Sequence, residues 1–416
     1  MSSKKPYCVA PWTSLYLDPK GNVYPCCVWQ QQGQVVGGVD GFGNINENTI
    51  EEVFNSEEAQ RVKKAMLDNE HLPECGHCHK HEKREDGWGS YRKHINERFS
   101  HLIEDYEKDL FKLGLWDVRI SNFCNFKCRS CGHSLSSSWY EDTLKLNPEY
   151  KYKALITIDN KEGFFEQLEP HFDYVEEVYF AGGEPLIMPE HYRILDKLIE
   201  KNRKIKLRYN TNLSVLDRKN IPIEDYWDFF ESVEVGVSLD GIGNIGEYAR
   251  KGLITENITK NIKRVLDFVK KDRDKGKSST ILFTTTISIF NYFHLFDFIN
   301  YFLENKFLTN YSILQPNNLY NPEEYDTQIL PMHAKALFKS QMDNFNFNGI
   351  DPYVAQNIQK FLSEAYEHSI AENKPSKHLN NFAIKTKELD EMRKENFLQV
   401  FKDSSLLKYV KQYWDN

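Results

Sequence analysis

The stretch Trp116–His133 reads WDVRISNFCNFKCRSCGH, and the rest of the chain is organised around it. Its first half alternates, with Trp116, Val118 and Ile120 apolar, which predicts a strand leading inward. Its second half carries Cys124, Cys128 and Cys131 at C-x3-C-x2-C spacing. The chain has eight cysteines, and none follows Cys131. Structural cysteines scatter, whereas metal ligands come in groups. The N-terminus, MSSKKPYCVAPW, lacks the apolar segment of a secretory signal, so reduced thiols and a cytoplasmic location are expected. An iron–sulfur cluster normally takes four cysteines. Three on one loop leave one iron of a [4Fe–4S] cube open to an outside ligand. A zinc site is the alternative.

Composition bounds the class. With 416 residues, 40% hydrophobic and 27% charged, the chain is long enough for two or three globular domains. A net charge of −8 argues against a nucleic-acid or anionic-membrane surface. No apolar run approaches the ~20 residues of a membrane span.

Upstream, Thr13–Leu17 alternates, DPKG follows, and Asn22–Tyr24 begins a return strand. This hairpin brings Cys8 near the Cys26-Cys27 pair. A polar linker leads to a helix from about Thr49, with Asn48 as N-cap and Glu51 as the capping-box acid. A second helix runs from about Ser56 to Asn69, before PECGHCHKHE supplies Cys75 and Cys78. His77, His79 and His81 read as solvated loop residues. A pair of connecting helices is expected between Lys80 and Leu113, with solvated charged faces.

Downstream, strands and helices alternate. Strands are expected at 175–180, 205–210, 233–239, 281–289 and 311–314. Helices are expected at 191–201, 225–230, 258–269 and 293–303. Such alternation implies βαβ units and a parallel sheet. With the Trp116 strand there are six strands, short of the eight of a closed barrel. Residues 321–328 read as a polar loop. Helices at 332–345, 354–368 and 388–413 form a C-terminal cap.

The loop C-x3-C-x2-C after a first strand, together with Gly182-Gly183-Glu184-Pro185 after the second and Ser238-Leu239-Asp240-Gly241 after the fourth, resembles the radical S-adenosylmethionine (SAM) superfamily. The resemblance covers about three quarters of the chain. It implies an α/β fold, a partial (β/α)6 TIM-like barrel. It implies that SAM chelates the open iron of the Cys124/Cys128/Cys131 cluster and is cleaved to a 5′-deoxyadenosyl radical. It implies SAM contacts from Gly182, Gly183, Glu184, Asn210, Asn212, Ser238, Asp240 and Arg250. Thr284–Ile289 would present apolar atoms to the adenine. One departure is Ser130, where the family carries a bulky residue; Phe123 or Phe126 is the candidate to compensate.

The spacing of Cys8, Gly21-x4-Cys26 and the Cys75/Cys78 pair resembles the auxiliary-cluster module SPASM, or its shortened form, twitch. That implies an auxiliary [4Fe–4S] cluster on Cys8, Cys26, Cys75 and Cys78, with Cys27 a packed thiol or spare ligand and zinc the alternative. The module here precedes the core, whereas in the family it usually follows. The expected domains are 1–110 (auxiliary module and connecting helices), 111–320 (radical SAM core) and 321–416 (C-terminal helices).

The resulting expectation is an enzyme with two [4Fe–4S] clusters and SAM that abstracts hydrogen from a polar small molecule, sugar-, aminocyclitol- or nucleotide-like. Arg119, Gln315, Asn317 and Asn318 at the barrel mouth favour that substrate class. A peptide-modifying enzyme is the first alternative, and a non-catalytic iron–sulfur or zinc protein the second. An electron donor such as flavodoxin or ferredoxin is implied. No catalytic acid, base or radical-quenching residue is assigned.

Overall fold

The computed structural model describes residues 6–29, 41–83, 90–108, 110–374 and 377–414. Most of the polar linker after Trp29 lies outside the described residues. The fold is mixed α/β, and nine strands form its main sheet. We label these β1 (Ser14–Leu17), β2 (Asn22–Tyr24), β3 (Gly43–Asn44), β4 (Leu115–Val118), β5 (Glu177–Phe180), β6 (Lys206–Thr211), β7 (Ser232–Ser238), β8 (Thr280–Ile287) and β9 (Ser312–Asn318). The six expected core strands are β4 to β9, in the strand–helix alternation of a partial barrel.

The chain divides into two compact units that it enters and leaves more than once. Unit 1 is Met1–Phe123, Lys153–Tyr209 and Phe229–Ser232; unit 2 is Cys124–Tyr152, Asn210–Asp228 and Val233–Asn416.

In unit 1, β1 pairs antiparallel with β2 and parallel with β4; β4 pairs parallel with β5, and β5 with β6. The Asp18 carboxylate closes the β1–β2 turn by accepting from the Lys20 and Asn22 N–H groups at 2.8 and 3.0 Å. One side of this sheet is apolar. Trp116, Val178 and Leu207 are paired in register, as are Val118, Phe180 and Tyr209, and all are buried. The other side is polar. There the register aligns Tyr16, Asp117, Tyr179 and Arg208 in one row.

In unit 2, β7, β8 and β9 are parallel neighbours. They repeat the division, with an apolar row Val237–Phe283–Leu314 beside a polar row Ser238–Thr284–Gln315. The helix Thr255–Asp274 covers the apolar side with Ile258, Ile262, Val265 and Val269, buried at helical spacing.

Several local expectations shift. The capping box sits one residue later: Thr49 caps the helix Ile50–Phe54, and Glu52, not Glu51, closes the box. Asn48-x-x-Glu51 and Thr49-x-x-Glu52 satisfy the same pattern, and the buried Ile50, Val53 and Phe54 select the second. Among the described residues, the connecting segment holds the end of the helix Gly76–Glu82 and one complete α-helix, Tyr91–Phe99, followed by short 3₁₀ turns. The expected final helix is broken into Lys377–Arg393, Phe397–Val400 and Leu407–Val410. The first piece stops before Lys394, whose φ is +55°. His77, His79 and His81 lie on a helix, Gly76–Glu82, not in a loop. His79 stacks on His71 at 4.1 Å and meets the Tyr7 hydroxyl at 3.0 Å. The polar segment 321–328 is a loop with short 3₁₀ turns, and much of it is buried. Glu324, Asp326, Thr327 and Gln328 are buried, and Asp326 receives His368 and Lys374, each at 2.9 Å.

Candidate active site

The cysteine loop of unit 2 is held by short-range geometry. Lys127–Cys128 pairs antiparallel with Arg250–Lys251. The Arg129 N–H donates to the Ala249 carbonyl at 2.7 Å, and the Cys131 N–H to the Cys128 carbonyl at 3.1 Å. The Ser138 hydroxyl and the Trp139 indole N–H hold the carbonyls of Cys124 and Cys128 at 2.7 and 2.9 Å.

Donors also converge on the sulfurs. The Phe126 N–H lies 3.5 Å from Cys124 Sγ, and Asn212 Nδ2 lies 3.9 Å from it. Arg250 Nη1 lies 3.6 Å from Cys128 Sγ. A hydrogen bond from Cys131 and the Arg250 charge, working against burial, bring the Cys128 thiol below its ordinary range. Cys131 is pushed well above it, first by that same hydrogen bond and then by burial. N–H donors and a buried guanidinium favour a thiolate, the form that binds iron.

Arg250 is anchored in turn. Its Nε and Nη2 lie 2.8 and 2.9 Å from the Asp240 carboxylate, and Asp240 also accepts from the Thr286 N–H at 2.8 Å. Asn212 donates to Asn125 Oδ1 at 2.9 Å, so it braces the cysteine loop from the end of β6. Asn210 lies within β6. Ser238 ends β7 opposite Thr284.

Gly182, Gly183 and Glu184 fall in unit 1, directly after β5. Both glycines have positive φ, +75° and +55°. A Cβ at Gly183 would meet the Phe123 carbonyl oxygen at 2.3 Å, and one at Gly182 would meet Arg119 Cβ at 2.7 Å. Only glycine permits that approach. It brings the Glu184 N–H to the Phe123 carbonyl at 2.8 Å, directly before Cys124 in the chain. Glu184 is buried, and its Oε1 accepts from the Leu186 N–H at 3.0 Å. Of the residues proposed to replace the missing bulky side chain, Phe126 is buried against Gly252, whereas Phe123 is exposed.

The remaining cysteines belong to unit 1. The charges of Cys75 and Cys78 are felt at Cys8, those of Cys27, Cys8 and Cys78 at Cys26, and that of Cys78 at Cys75. Burial pushes Cys8 and Cys75 up to about 12, and Cys26 well above the ordinary thiol range. Burial disfavours the charged form of Cys8, Cys26 and Cys75, a cost that a bound cation would offset. Cys27 adjoins Cys26 and also faces a second set of groups. Burial raises it to about 11, and the groups it senses next are Asp117, Arg119, Tyr91 and Arg208 on the polar side of the sheet.

Among the described residues, no group of three or more His, Cys, Asp or Glu stands in the arrangement of a metal-ion site. Spacing, N–H···S donors and neighbouring thiol charges mark the two cysteine sets as candidate ligands.

Sequence reading named Arg119 but passed over Asp117, Glu177 and Arg208 beside it. Arg119 Nε and Nη2 grip the buried Asp117 at 3.0 and 3.2 Å, and the guanidinium lies 4.7 Å from the Tyr16 ring. Glu177, fully buried, receives Arg98 at 3.1 Å and Arg208 at 3.2 Å. The signal was present in Trp116-Asp117-Val118-Arg119, where the alternation that marks a strand also marks its polar side.

Two family profiles match the chain. The radical SAM superfamily matches residues 118–301, and SPASM, an iron–sulfur cluster-binding domain, matches residues 8–79. A comparison with curated proteins finds no match. Among solved structures, anSMEcpe with bound AdoMet is 21% identical, with TM-score 0.36 over 55% of this chain and 59% of that one. This chain thus spans about three fifths of the length of that protein. Streptococcus suis SuiB bound to its precursor peptide SuiA is 13% identical, with TM-score 0.33 over 82% and 70%.

Proposed function

We propose, from the premise that the chain belongs to the radical SAM superfamily and carries a SPASM domain, that it is an enzyme abstracting hydrogen from a polar small molecule. The two domains imply SAM, a [4Fe–4S] cluster that binds it, and further iron–sulfur chemistry. Cys124, Cys128 and Cys131 would hold the first cluster, and Cys8, Cys26, Cys75 and Cys78 the auxiliary one. When bound, the first cluster supplies the electron that cleaves SAM to methionine and the 5′-deoxyadenosyl radical.

The protein's own work is binding, orienting and excluding water. Glu184, a carboxylate, would accept from the SAM ammonium group. Arg250, fixed by Asp240, holds positive charge beside Cys128 and would meet the SAM carboxylate. Gly182 and Gly183 allow the backbone to approach the ligand, and Asn210, Asn212 and Ser238 add polar contacts. An external one-electron donor of the flavodoxin or ferredoxin kind and a cytoplasmic setting complete the reading. Among the described residues no helix is long and apolar enough to cross a membrane.

One observation carries the substrate class. A parallel sheet covered on both sides normally reads as continuous apolar strands. Here each strand alternates, and its polar side is filled with Asp117, Arg119, Tyr179 and Arg208 in unit 1 and Ser238, Thr284 and Gln315 in unit 2. Charged and hydroxylated side chains suit a ligand rich in hydroxyl or amino groups.

The peptide alternative has its own support, since anSMEcpe and SuiB were both solved with bound peptides. Deuterium transfer separates the two. The reconstituted enzyme and SAM are incubated with small-molecule or peptide fractions from cells grown in heavy water. Deuterium in the recovered 5′-deoxyadenosine from the small-molecule fraction alone is the expected result. Transfer from the peptide fraction alone overturns the substrate class.

A further inference from the structure

The C-terminal helices were expected only to cap the barrel. In unit 2 one of them, with the turn after it, is wired by charge to the cysteine loop. Arg129, between Cys128 and Ser130, is fully enclosed. Its Nη2 lies 2.5 Å from Asp390 Oδ1 and 2.6 Å from Glu395 Oε2, across more than 260 residues of chain. Its guanidinium lies 3.7 Å from the Tyr248 ring, and the Tyr248 hydroxyl donates to the same Asp390 oxygen at 2.7 Å.

A second arginine grips the other side of the loop. Arg393 Nη1 donates to the Lys127 carbonyl at 3.0 Å, and its Nε to Asp142 Oδ2 at 2.9 Å. The Arg393 guanidinium lies over the Trp139 ring at 4.3 Å, and Trp139 holds the Cys128 carbonyl. Lys127 reaches the same Asp142 at 3.1 Å. Lys251, paired with Lys127 across the two-stranded ribbon, returns to Glu395 and to the Arg393 carbonyl, each at 3.0 Å. Every residue of the loop from Lys127 to Arg129 is thus tied, directly or through one side chain, to the segment Lys377–Glu395.

Buried charge networks cost more in desolvation than apolar packing would. A fold that needed only a cap would fill this space with leucine. We propose that Asp390, Glu395 and Arg393 are positioning residues for the cysteine loop, fixing the place of Cys128 and the electrostatic setting in which a cluster on the loop is reduced. This rests on the reading of Cys124, Cys128 and Cys131 as cluster ligands. Arg129 places a buried cation next to Cys128, and Asp390 and Glu395 balance it. Removing the two anions should make reduction easier, and removing the cation should make it harder.

The test compares Arg129→Gln with the double variant D390N/E395Q in the reconstituted protein. Iron is counted, and the potential of the loop cluster is followed by electron paramagnetic resonance during a redox titration. The expected result is retained iron with potentials displaced in opposite directions, positive for D390N/E395Q and negative for Arg129→Gln. Displacement in the same direction means a loosened loop and overturns the electrostatic assignment, as does no displacement. Amide exchange supplies a readout that needs no iron. In the protein as purified, D390N/E395Q should speed exchange at Arg129 about tenfold, and unchanged exchange overturns the positioning role. Wild-type protein that takes up no iron at the loop would refute the cluster reading instead, while the exchange measurement would still decide whether the segment positions the loop.

Discussion

Gly183→Ala is the sharpest test of the turn that carries Glu184. The added methyl meets the Phe123 carbonyl oxygen at 2.3 Å, Met188 Cε at 2.7 Å and the Asn122 carbonyl carbon at 2.9 Å. Two of the three are backbone atoms and cannot swing aside. Holding a non-glycine residue at left-handed φ costs about 1–2 kcal/mol. Retreat of the carbonyl by about 1 Å breaks its 2.8 Å bond from the Glu184 N–H, and leaving such buried groups unpaired costs about 1–3 kcal/mol. Together these give about 2–5 kcal/mol, a large part of the ~5–15 kcal/mol that stabilises a typical domain. Gly132→Ala is the control. It lies on the cysteine loop, and an added Cβ meets nothing within 4 Å, so its effect should stay within about 0.5 kcal/mol. Urea unfolding measures both, and equilibrium dialysis measures SAM binding to the reconstituted protein. The expected outcome is an earlier midpoint and weaker SAM binding for Gly183→Ala, with neither change in Gly132→Ala. A Gly183→Ala protein as stable as wild type, with unchanged SAM affinity, would refute the close approach and the placing of Glu184 that depends on it.

Two further outcomes follow from unit 1. Cys26→Ala should remove about four of the irons of the reconstituted chain, the content of one [4Fe–4S] cluster, whereas Cys27→Ala should leave them in place; equal losses would contradict the division between the two thiols. Burial holds the His171 imidazole down to about 4, and its Nδ1 is buried without a hydrogen-bond partner among the described residues. The folded state therefore binds fewer protons than the unfolded chain. The stabilisation is fully present above the ordinary histidine value near 6.5 and is lost as pH falls through about 4, a change of about 3 kcal/mol at about 1.4 kcal/mol per unit. His171→Phe, whose ring suits the stacking place on Phe111 at 5.4 Å, should flatten that part of the stability profile; an unchanged profile would show that another group is responsible.

The candidate site was legible in the sequence where its residues are close together in the chain. Cys124, Cys128 and Cys131 stand out by their spacing on one short stretch, whereas Gly182 and Gly183 stand out only through the family resemblance of Gly182-Gly183-Glu184-Pro185. The core strands were legible because β4 to β9 each carry their own period of two, whereas the parallel pairing of β1 with β4 was not. Long-range charge was not. Nothing local marks Arg129 as the partner of Asp390, since the pairing exists only once the last helices return to the loop. Helix ends failed in two physical ways. Asn48 and Thr49 can both cap, and tertiary burial chose between them. The helix ending at Arg393 is followed by a lysine, Lys394, in left-handed conformation, where glycine is the usual written signal. The histidines after Cys75 misled because their polarity suggests solvent, whereas His79 is held by Tyr7 and His71.

The central claim is that Cys124, Cys128 and Cys131 carry the cluster that cleaves SAM. Anaerobically reconstituted protein, reduced with dithionite and supplied with SAM, tests it most directly beside the variant in which all three are alanine. The wild-type chain should form 5′-deoxyadenosine and the variant none, while the variant keeps the irons of its N-terminal cysteines. Formation of 5′-deoxyadenosine by both proteins, or by neither when the wild-type loop is loaded with iron, would contradict it.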